Sequence, residues 1–470
     1  MPWAELEGRV LKGGMTVGGR RPWLRTALVG ATTALALAGC GVRNPPGDGG
    51  AAKRAGAESA LAPTEASPCT WCAPWTDPDR RALWSAQPVL AMKGGLKVFW
   101  NVLGPTGRAH ERMAVEHGYE RITLTIPFND FGGDGRQAIR AHSRNPWLRP
   151  SFFESSVKRS IANERDTGTY ANDIELEIAS PDVAWTDPAA REASGARTFA
   201  EFRRAYLREW GNWHALVSRY TREVYPTTQV GIYGRQPVQK DYWGYVNSDP
   251  ETFARGHAAD DAEMWRMIDP HIDFYTADIY NFYDEPGSVL FMAANVEENF
   301  LRTRSYGGKP LYAYVWLRYH ESNEELAQRE IATPYLVEAT AIVPFFSGAK
   351  GVVLWGAEGQ PLLRDSQVPY DNFPVFMNAL SRVAALSEDI GRAQLEIDES
   401  AHTLWRAERP LVRRLIVAQG HCIVMAINPW QGHNATSQAN PLCGDRRYPI
   451  VMRGRATTIA VIRDGHVTLH

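Results

Sequence analysis

Three carboxylates stand two residues apart in the stretch Tyr170-Ala171-Asn172-Asp173-Ile174-Glu175-Leu176-Glu177. The alternation reads as a β-strand, in which residues two apart point to the same side. Asp173, Glu175 and Glu177 then share one face. Like charges that close repel, so at least one carboxyl keeps its proton near neutrality. A general acid in glycosidic bond cleavage requires such a group. Taken alone, the octapeptide also fits an edge strand with solvated acids, because short acidic runs are common on surfaces.

The elements that would position these acids follow from the hydrophobic pattern. Short apolar runs read as strands at Leu96–Val102, Arg121–Ile126, Thr169–Leu176, Gln229–Tyr233, Ile272–Ile279, Pro310–Trp316 and Gly351–Trp355. Amphipathic segments fall between most of them, most clearly at Thr198–Thr221, Pro250–Met267, Asn323–Val343 and Phe373–Ala385. Alternating strands and helices imply an α/β fold with parallel strands. Seven such units fit a closed (β/α) barrel of the TIM type better than an open doubly wound sheet. No G-x-G-x-x-G follows the first strand, which weighs against dinucleotide binding.

In such barrels the chemistry sits at the C-terminal ends of the strands. Here those ends carry Trp100-Asn101, Asp173 to Glu175, Tyr233, Asp278-Ile279-Tyr280-Asn281, Tyr314 to Trp316, and Trp355. Repeated polar and aromatic endings describe a lined pocket. Beyond Asp389 the helical pattern fades. Leu395–Ile397, Leu411–Ala418, Cys422–Asn428, Pro449–Met452, Thr457–Ile462 and Val467–Leu469 read as short strands of a small β-sandwich. The chain divides into a leader over 1–40, a linker over 41–68, a barrel over 69–388 and the sandwich over 389–470.

The N-terminus reads as an export signal. Arg20, Arg21 and Arg25 precede an apolar run from Thr26 to Ala38, too short for an ordinary membrane span. The run ends in Leu37-Ala38-Gly39-Cys40, which resembles a bacterial lipobox. Cys40 is then the lipidated first residue of the mature chain, and the protein a membrane-anchored lipoprotein of the periplasm or cell surface. Gly41 to about Pro68 is rich in Gly, Ala, Pro and Ser and reads as a flexible tether. An exported chain can hold disulfides. Cys422 with Cys443 is the preferred pair, since both lie in the C-terminal region. Cys69-Thr70-Trp71-Cys72 has the spacing of half a redox or zinc site but no second half. His214, His271 and His320 are dispersed, so no metal is expected, nor any cofactor. A net charge of −2 gives no basic footprint for nucleic acid. The 16 Trp and 18 Tyr suit a sugar-binding cleft, because rings stack on sugar C–H faces, though aromatics also fill cores.

The order of these segments resembles the hyaluronidases of glycoside hydrolase family 56, over most of residues 96 to 357. Phe99-Trp100-Asn101-Val102 is similar to that family's first strand, and Asp173-Ile174-Glu175 to its Asp-x-Glu motif. Phe199 to Tyr220 is similar to its long helix, and Gly231-Ile232-Tyr233-Gly234 to its Gly-Tyr-Tyr segment. Asp260-Asp261, Trp265 and Asp278-Ile279-Tyr280 resemble the stretch with its second active-site tyrosine. Gly348 to Gly356, with Trp355, resembles its last strand. The chain has Ile174 where that family has an aromatic, and it lacks the family's barrel disulfides.

The resemblance implies a retaining hydrolase in which the substrate's own acetamide attacks the anomeric carbon. Glu175 is then the acid/base, and Asp173 orients the acetamide. Tyr233 and Tyr280 bind it, Trp355 walls the pocket, and Asp278 holds Tyr280 or a sugar hydroxyl. Asn101 joins the lining, and Glu177 stands behind as a further acid. The expected partner is a polysaccharide containing N-acetylhexosamine, met by a monomer. Two other readings stay open: a two-carboxylate glycosidase pairing Glu175 with Asp278 or Glu177, and an inactive barrel that binds polysaccharide at the cell surface.

Overall fold

The computed structural model describes residues 77–127, 143–174, 178–238, 250–320, 333–357 and 372–470, with positions 242, 323, 325, 326 and 331 between them. The leader with Cys40, the tether, Cys69 and Cys72 lie outside the described residues, and so do Glu175 and Glu177.

Eight short strands precede the C-terminal region among the described residues. They are β1 Lys97–Leu103, β2 Glu120–Arg121, β3 Thr123–Thr125, β4 Thr169–Asp173, β5 Gln229–Tyr233, β6 Tyr275–Asp278, β7 Leu311–Val315 and β8 Gly351–Ala357. All their ladders are parallel. They form a five-stranded sheet in the order β2-β1-β8-β7-β6 and a three-stranded sheet in the order β3-β4-β5. Only Ile122 separates β2 from β3 along the chain. On the other side, Gly231 of β5 bridges in parallel to Phe274, just before β6. The Asp273 amide reinforces that bridge by donating to the Val230 carbonyl at 2.6 Å.

The strands are rich in apolar and aromatic residues because both faces are covered. In β1, Lys-Val-Phe-Trp-Asn-Val-Leu, the five central residues are all buried. The segment before β5 folds as the helix Phe199–Val224. Thr198 starts it by accepting from the Glu201 amide, while the Glu201 carboxylate accepts from the Thr198 amide. Its buried side, including Phe202, Tyr206, Trp210, Trp213, Val217 and Tyr220, recurs at three- and four-residue spacing. The chain leaves the helix at Tyr225, ahead of Pro226, where the residue before proline disfavours helical backbone.

Register sorts the residues of one sheet face into two layers, since residues two apart point the same way. The lower layer is aromatic. Phe99 and Phe274 each pack on Tyr312, with ring centroids 4.9 and 5.0 Å apart. Gly231 makes room for it: a Cβ there would lie 2.1 Å from the Phe274 ring. The next layer, one step toward the strands' C-terminal ends, contains Asn101 and Tyr314 and is polar.

The C-terminal strands are β9 Gln394–Glu396, β10 Leu411–Ala418, β11 His421–Ile427, β12 Thr436–Ala439, β13 Leu442–Cys443, β14 Arg446–Arg447, β15 Ile450–Arg453, β16 Thr458–Arg463 and β17 His466–Leu469. Five of them make an antiparallel sheet in the order β17-β16-β11-β10-β9, and β12-β15 and β13-β14 are separate pairs. Val424, Ala426, Ala460 and Ile462 of the sheet form one apolar cluster with Ala439, Ile450 and Met452 of the β12-β15 pair. Cys422 and Cys443 are disulfide-bonded within it. This region is fastened to the helix Pro286–Thr303 by Arg413, whose Nε donates to Glu297 at 2.5 Å, both side chains being almost wholly buried.

Several elements differ from the pattern reading. The run Arg121–Ile126 is two strands, because β2 pairs with β1 and β3 with β4. Among the described residues of Asn323–Val343, the helix begins at Pro334 and runs as Pro334–Phe346. Thr333 before it is extended (φ −93°, ψ 109°), and a proline fits the first turn of a helix but not its interior. Asn323 instead forms a turn, its Oδ1 accepting from the Glu325 and Leu326 amides. The helix Pro286–Thr303 has no clear amphipathic signature, since buried residues surround it.

Candidate active site

Asp173 is the last residue of β4, and its register partner is Tyr233, the last residue of β5. Asp278 ends β6 opposite Tyr314 of β7. Asn101 of β1 stands opposite Trp355 of β8. Paired residues of a parallel ladder point to the same side, so the pairings put these side chains on common faces. Asp173 is 8% exposed, which makes it a buried carboxylate at a strand end. Ile174 turns to the other face, wholly buried, and its amide donates to the Tyr233 carbonyl at 3.3 Å. The chain then turns after Tyr233 at Gly234, whose φ of +77° suits glycine.

The tyrosines knit the strand ends together. The Tyr233 and Tyr280 hydroxyls are hydrogen-bonded at 2.8 Å. The Tyr233 ring packs on Tyr314 with centroids 4.6 Å apart. Tyr280 leads into an aromatic wall: Trp355 lies 5.8 Å and Trp316 6.1 Å from it, and the two indoles meet edge to face at 4.7 Å. His320 stacks nearly parallel on Tyr280 at 5.9 Å. Burial pushes the His320 imidazole down to about 4, so it is neutral at ordinary pH.

Tyr314 is a residue that the pattern marked as part of a strand ending without giving it a role of its own. Its side chain is fully buried, and among the described residues its hydroxyl has no hydrogen-bond partner. Burial pushes that hydroxyl well above the usual tyrosine range, and the nearby Asp173 and Asp278 carboxylates push it further. It is therefore a protonated donor standing in the field of two acids. The strand ending Tyr314 to Trp316 pointed to it, since Tyr312 and Tyr314 alternate with small or aliphatic residues. Gln236 was missed. Its Nε2 donates to Asp278 Oδ2 at 3.2 Å, from a loop with no pattern of its own.

Asp173, Tyr233, Tyr280, Asp278 and Trp355 are thus linked by register or ring contact, with Asn101 beside Trp355. Asn101 Nδ2 donates to the Ile122 carbonyl at 3.1 Å, and its buried Oδ1 has no partner among the described residues. A cavity of about 440 Å³ borders Asn101 but extends away along β1 to β3 toward Arg108, Arg121 and Arg165. There Glu111 already accepts from Arg121 at 2.5 Å and Arg165 at 2.8 Å. Among the described residues no cluster of His, Cys, Asp and Glu could hold a metal ion.

The class these observations define is an α/β protein of parallel strands, with carboxylates, tyrosines and tryptophans gathered at the strands' C-terminal ends. No protein-family profile matches the chain, and no curated protein matches it. Among solved structures it is similar to bee venom hyaluronidase, 14% identical with a TM-score of 0.36, over 63% of this chain and 98% of that one. It is similar also to an endo-β1,6-glucanase, 11% identical with a TM-score of 0.33, over 76% and 74%. A GH18 chitinase from Pseudoalteromonas aurantia is 14% identical with a TM-score of 0.30, over 59% and 80%.

Proposed function

We propose that this chain is a glycoside hydrolase that cleaves a polysaccharide containing N-acetylhexosamine, by a retaining, substrate-assisted route. The observation that carries the reading is the register of Asp173 opposite Tyr233, with the Tyr233 hydroxyl bonded to that of Tyr280 at 2.8 Å. A carboxylate and paired phenols on one face match the needs of an acetamide: an acceptor for its N–H and donors for its carbonyl. We also read the two parallel sheets as one closed barrel, joined through Ile122 and through the Gly231–Phe274 bridge. The lipid on Cys40 would hold this barrel at a membrane surface.

In this mechanism Asp173 turns the acetamide so that its carbonyl oxygen attacks the anomeric carbon. The glycosidic C–O bond breaks as Glu175, two residues on, gives its proton to the leaving oxygen. The resulting oxazolinium carries a positive charge, which the Asp173 carboxylate offsets at close range. Glu175 then takes a proton from water as it opens the ring and restores the acetamide. Trp355 and Trp316 exclude water from the face where the charge develops.

Reducing-end release from acetylated and deacetylated polysaccharides tests this, with wild type beside Glu175→Gln. Turnover of acetylated substrate only, lost in the variant, supports the proposal. A second reading is a two-carboxylate route through Glu175 and Asp278, since Asp278 ends β6 as Asp173 ends β4. Turnover of deacetylated substrate would favour that route. Binding without turnover would leave a polysaccharide-binding protein.

A further inference from the structure

Three buried amide side chains meet behind Asp278. Gln236, Asn295 and Asn299 are each 2% exposed or less. Gln236 Nε2 donates to Asp278 Oδ2 at 3.2 Å, and Gln236 Oε1 accepts from Asn299 Nδ2 at 3.0 Å. Asn299 Nδ2 also lies 2.7 Å from Asn295 Oδ1, while Asn299 Oδ1 accepts from the Val238 amide at 2.8 Å. Asn295 Nδ2 donates to the Asp278 carbonyl at 3.0 Å. The asparagines are four residues apart on the helix Pro286–Thr303, hence on one side of it.

An amide can be turned end for end, so a chain of amides has a direction only if its ends impose one. Here both ends do. The Val238 N–H can only donate, so it fixes Asn299 with Oδ1 toward it and Nδ2 toward Gln236. Gln236 must then present Oε1 to Asn299 and Nε2 to Asp278. The oxygen at the far end receives a donor and has to accept. A proton on Asp278 Oδ2 would face the Gln236 N–H and break the chain, so any proton on Asp278 has to sit on Oδ1.

We infer that Gln236, Asn295 and Asn299 are positioning residues that hold Asp278 as a fixed hydrogen-bond acceptor for a substrate hydroxyl. Asp278 is then a specificity determinant, with Oδ2 held by Gln236 and its carboxyl plane fixed toward the sugar. The substrate class is a glycan with a free hydroxyl on the sugar ring that meets Asp278. The inference rests on the glycosidase reading for its substrate, but the direction of the amide relay stands apart from it.

Gln236→Glu tests it, because the change keeps the shape and sets a carboxylate against Asp278. Two carboxylates at hydrogen-bond distance share a proton, so the acid limb of kcat/KM should move up by about one pH unit or more. KM at neutral pH should rise about tenfold or more, the scale of losing a hydrogen bond to a charged group. Gln236→Met removes the donor without adding charge, so it should raise KM while leaving the acid limb in place. A Gln236→Glu enzyme with wild-type KM and pH profile would overturn the inference. If the wild-type chain hydrolyses no glycan, melting temperatures decide. The pair's raised native pKa makes its stability greatest at acid pH and lost as pH rises, so Gln236→Glu should fall further below Gln236→Met from pH 4 to pH 7. Parallel melting curves for the two variants would refute the relay whatever the protein's activity.

Discussion

Two buried polar groupings, one between the helix Pro286–Thr303 and the C-terminal sheet and one at the strand ends, are finished differently. Toward the C-terminal sheet, Glu297 and Arg413 close on each other at 2.5 Å. The Ala401 amide takes the second Glu297 oxygen at 3.2 Å, and Arg413 Nη1 donates to the Val412 carbonyl at 2.7 Å. Toward the strand ends, the Tyr314 hydroxyl and the Asn101 Oδ1 are buried with no partner among the described residues. A buried charge left alone is costly, so the two charges are set against each other, although Arg413 Nη2 has no partner among the described residues. The strand-end groups carry no charge, so leaving them open costs less than stranding either member of the ion pair.

The largest effect should come from breaking the ion pair on one side only. Arg413→Ala leaves Glu297 buried and alone, and should cost about 3–5 kcal/mol in denaturant unfolding. Burial already pushes the Glu297 carboxyl up, with Arg413 opposing it. Replacing both partners, as Glu297→Met with Arg413→Met, should cost far less, because no charge is stranded. Equal losses in the single and double variants would mean that Arg413 acts mainly by packing.

Acid should act next, through two histidines that belong to neither cluster. Burial pushes His214 and His320 down to about 4 from 6.5. The unfolded chain then binds protons that the native state refuses. The stability these neutral rings contribute is complete above about pH 6.5 and is lost as pH falls toward 4, by about 3 kcal/mol for each. His214 Nδ1 sits 2.9 Å from the Trp210 carbonyl, so His214→Gln should flatten this window in a pH series of unfolding curves. An unchanged slope would remove His214 from the account.

The smallest stability change should come from the open cluster. Tyr314→Phe deletes a hydroxyl that satisfies no described group, so melting should shift by less than about 1 kcal/mol in either direction. Activity should nonetheless fall about tenfold or more, if that hydroxyl completes its hydrogen bond only with substrate. A variant that is fully active would make Tyr314 a packing residue and blunt the contrast between the two clusters.

How much of this was legible along the chain depended on whether a residue's role was local. Gln229–Tyr233, Leu411–Ala418 and Phe373–Ala385 stand at the boundaries their own patterns give, because alternation and amphipathic spacing are local properties. The helix Pro286–Thr303 was harder to read, since a helix covered on all sides shows no polar stripe. Asn323–Val343 read too long, because apolar spacing was followed upstream past the proline that begins the helix. Tyr314 resembled Tyr312, which packs in the aromatic layer two residues earlier. Only depth separates them, and depth depends on the neighbouring strands.

The sequence by itself determined the alternation of parallel strands and helices, the antiparallel character of the last eighty or so residues, and the residues with suitable chemistry at strand ends. It did so because periodicity and residue type are written in single segments. Tertiary structure alone decided which of those residues meet. Asp173 faces Tyr233, and Asp278 faces Tyr314, because the register of one parallel strand on the next says so. Gln236 reaches Asp278 with its amide held by Asn299, on a helix some sixty residues away. Such partnerships depend on distance through space, which no spacing along a chain encodes.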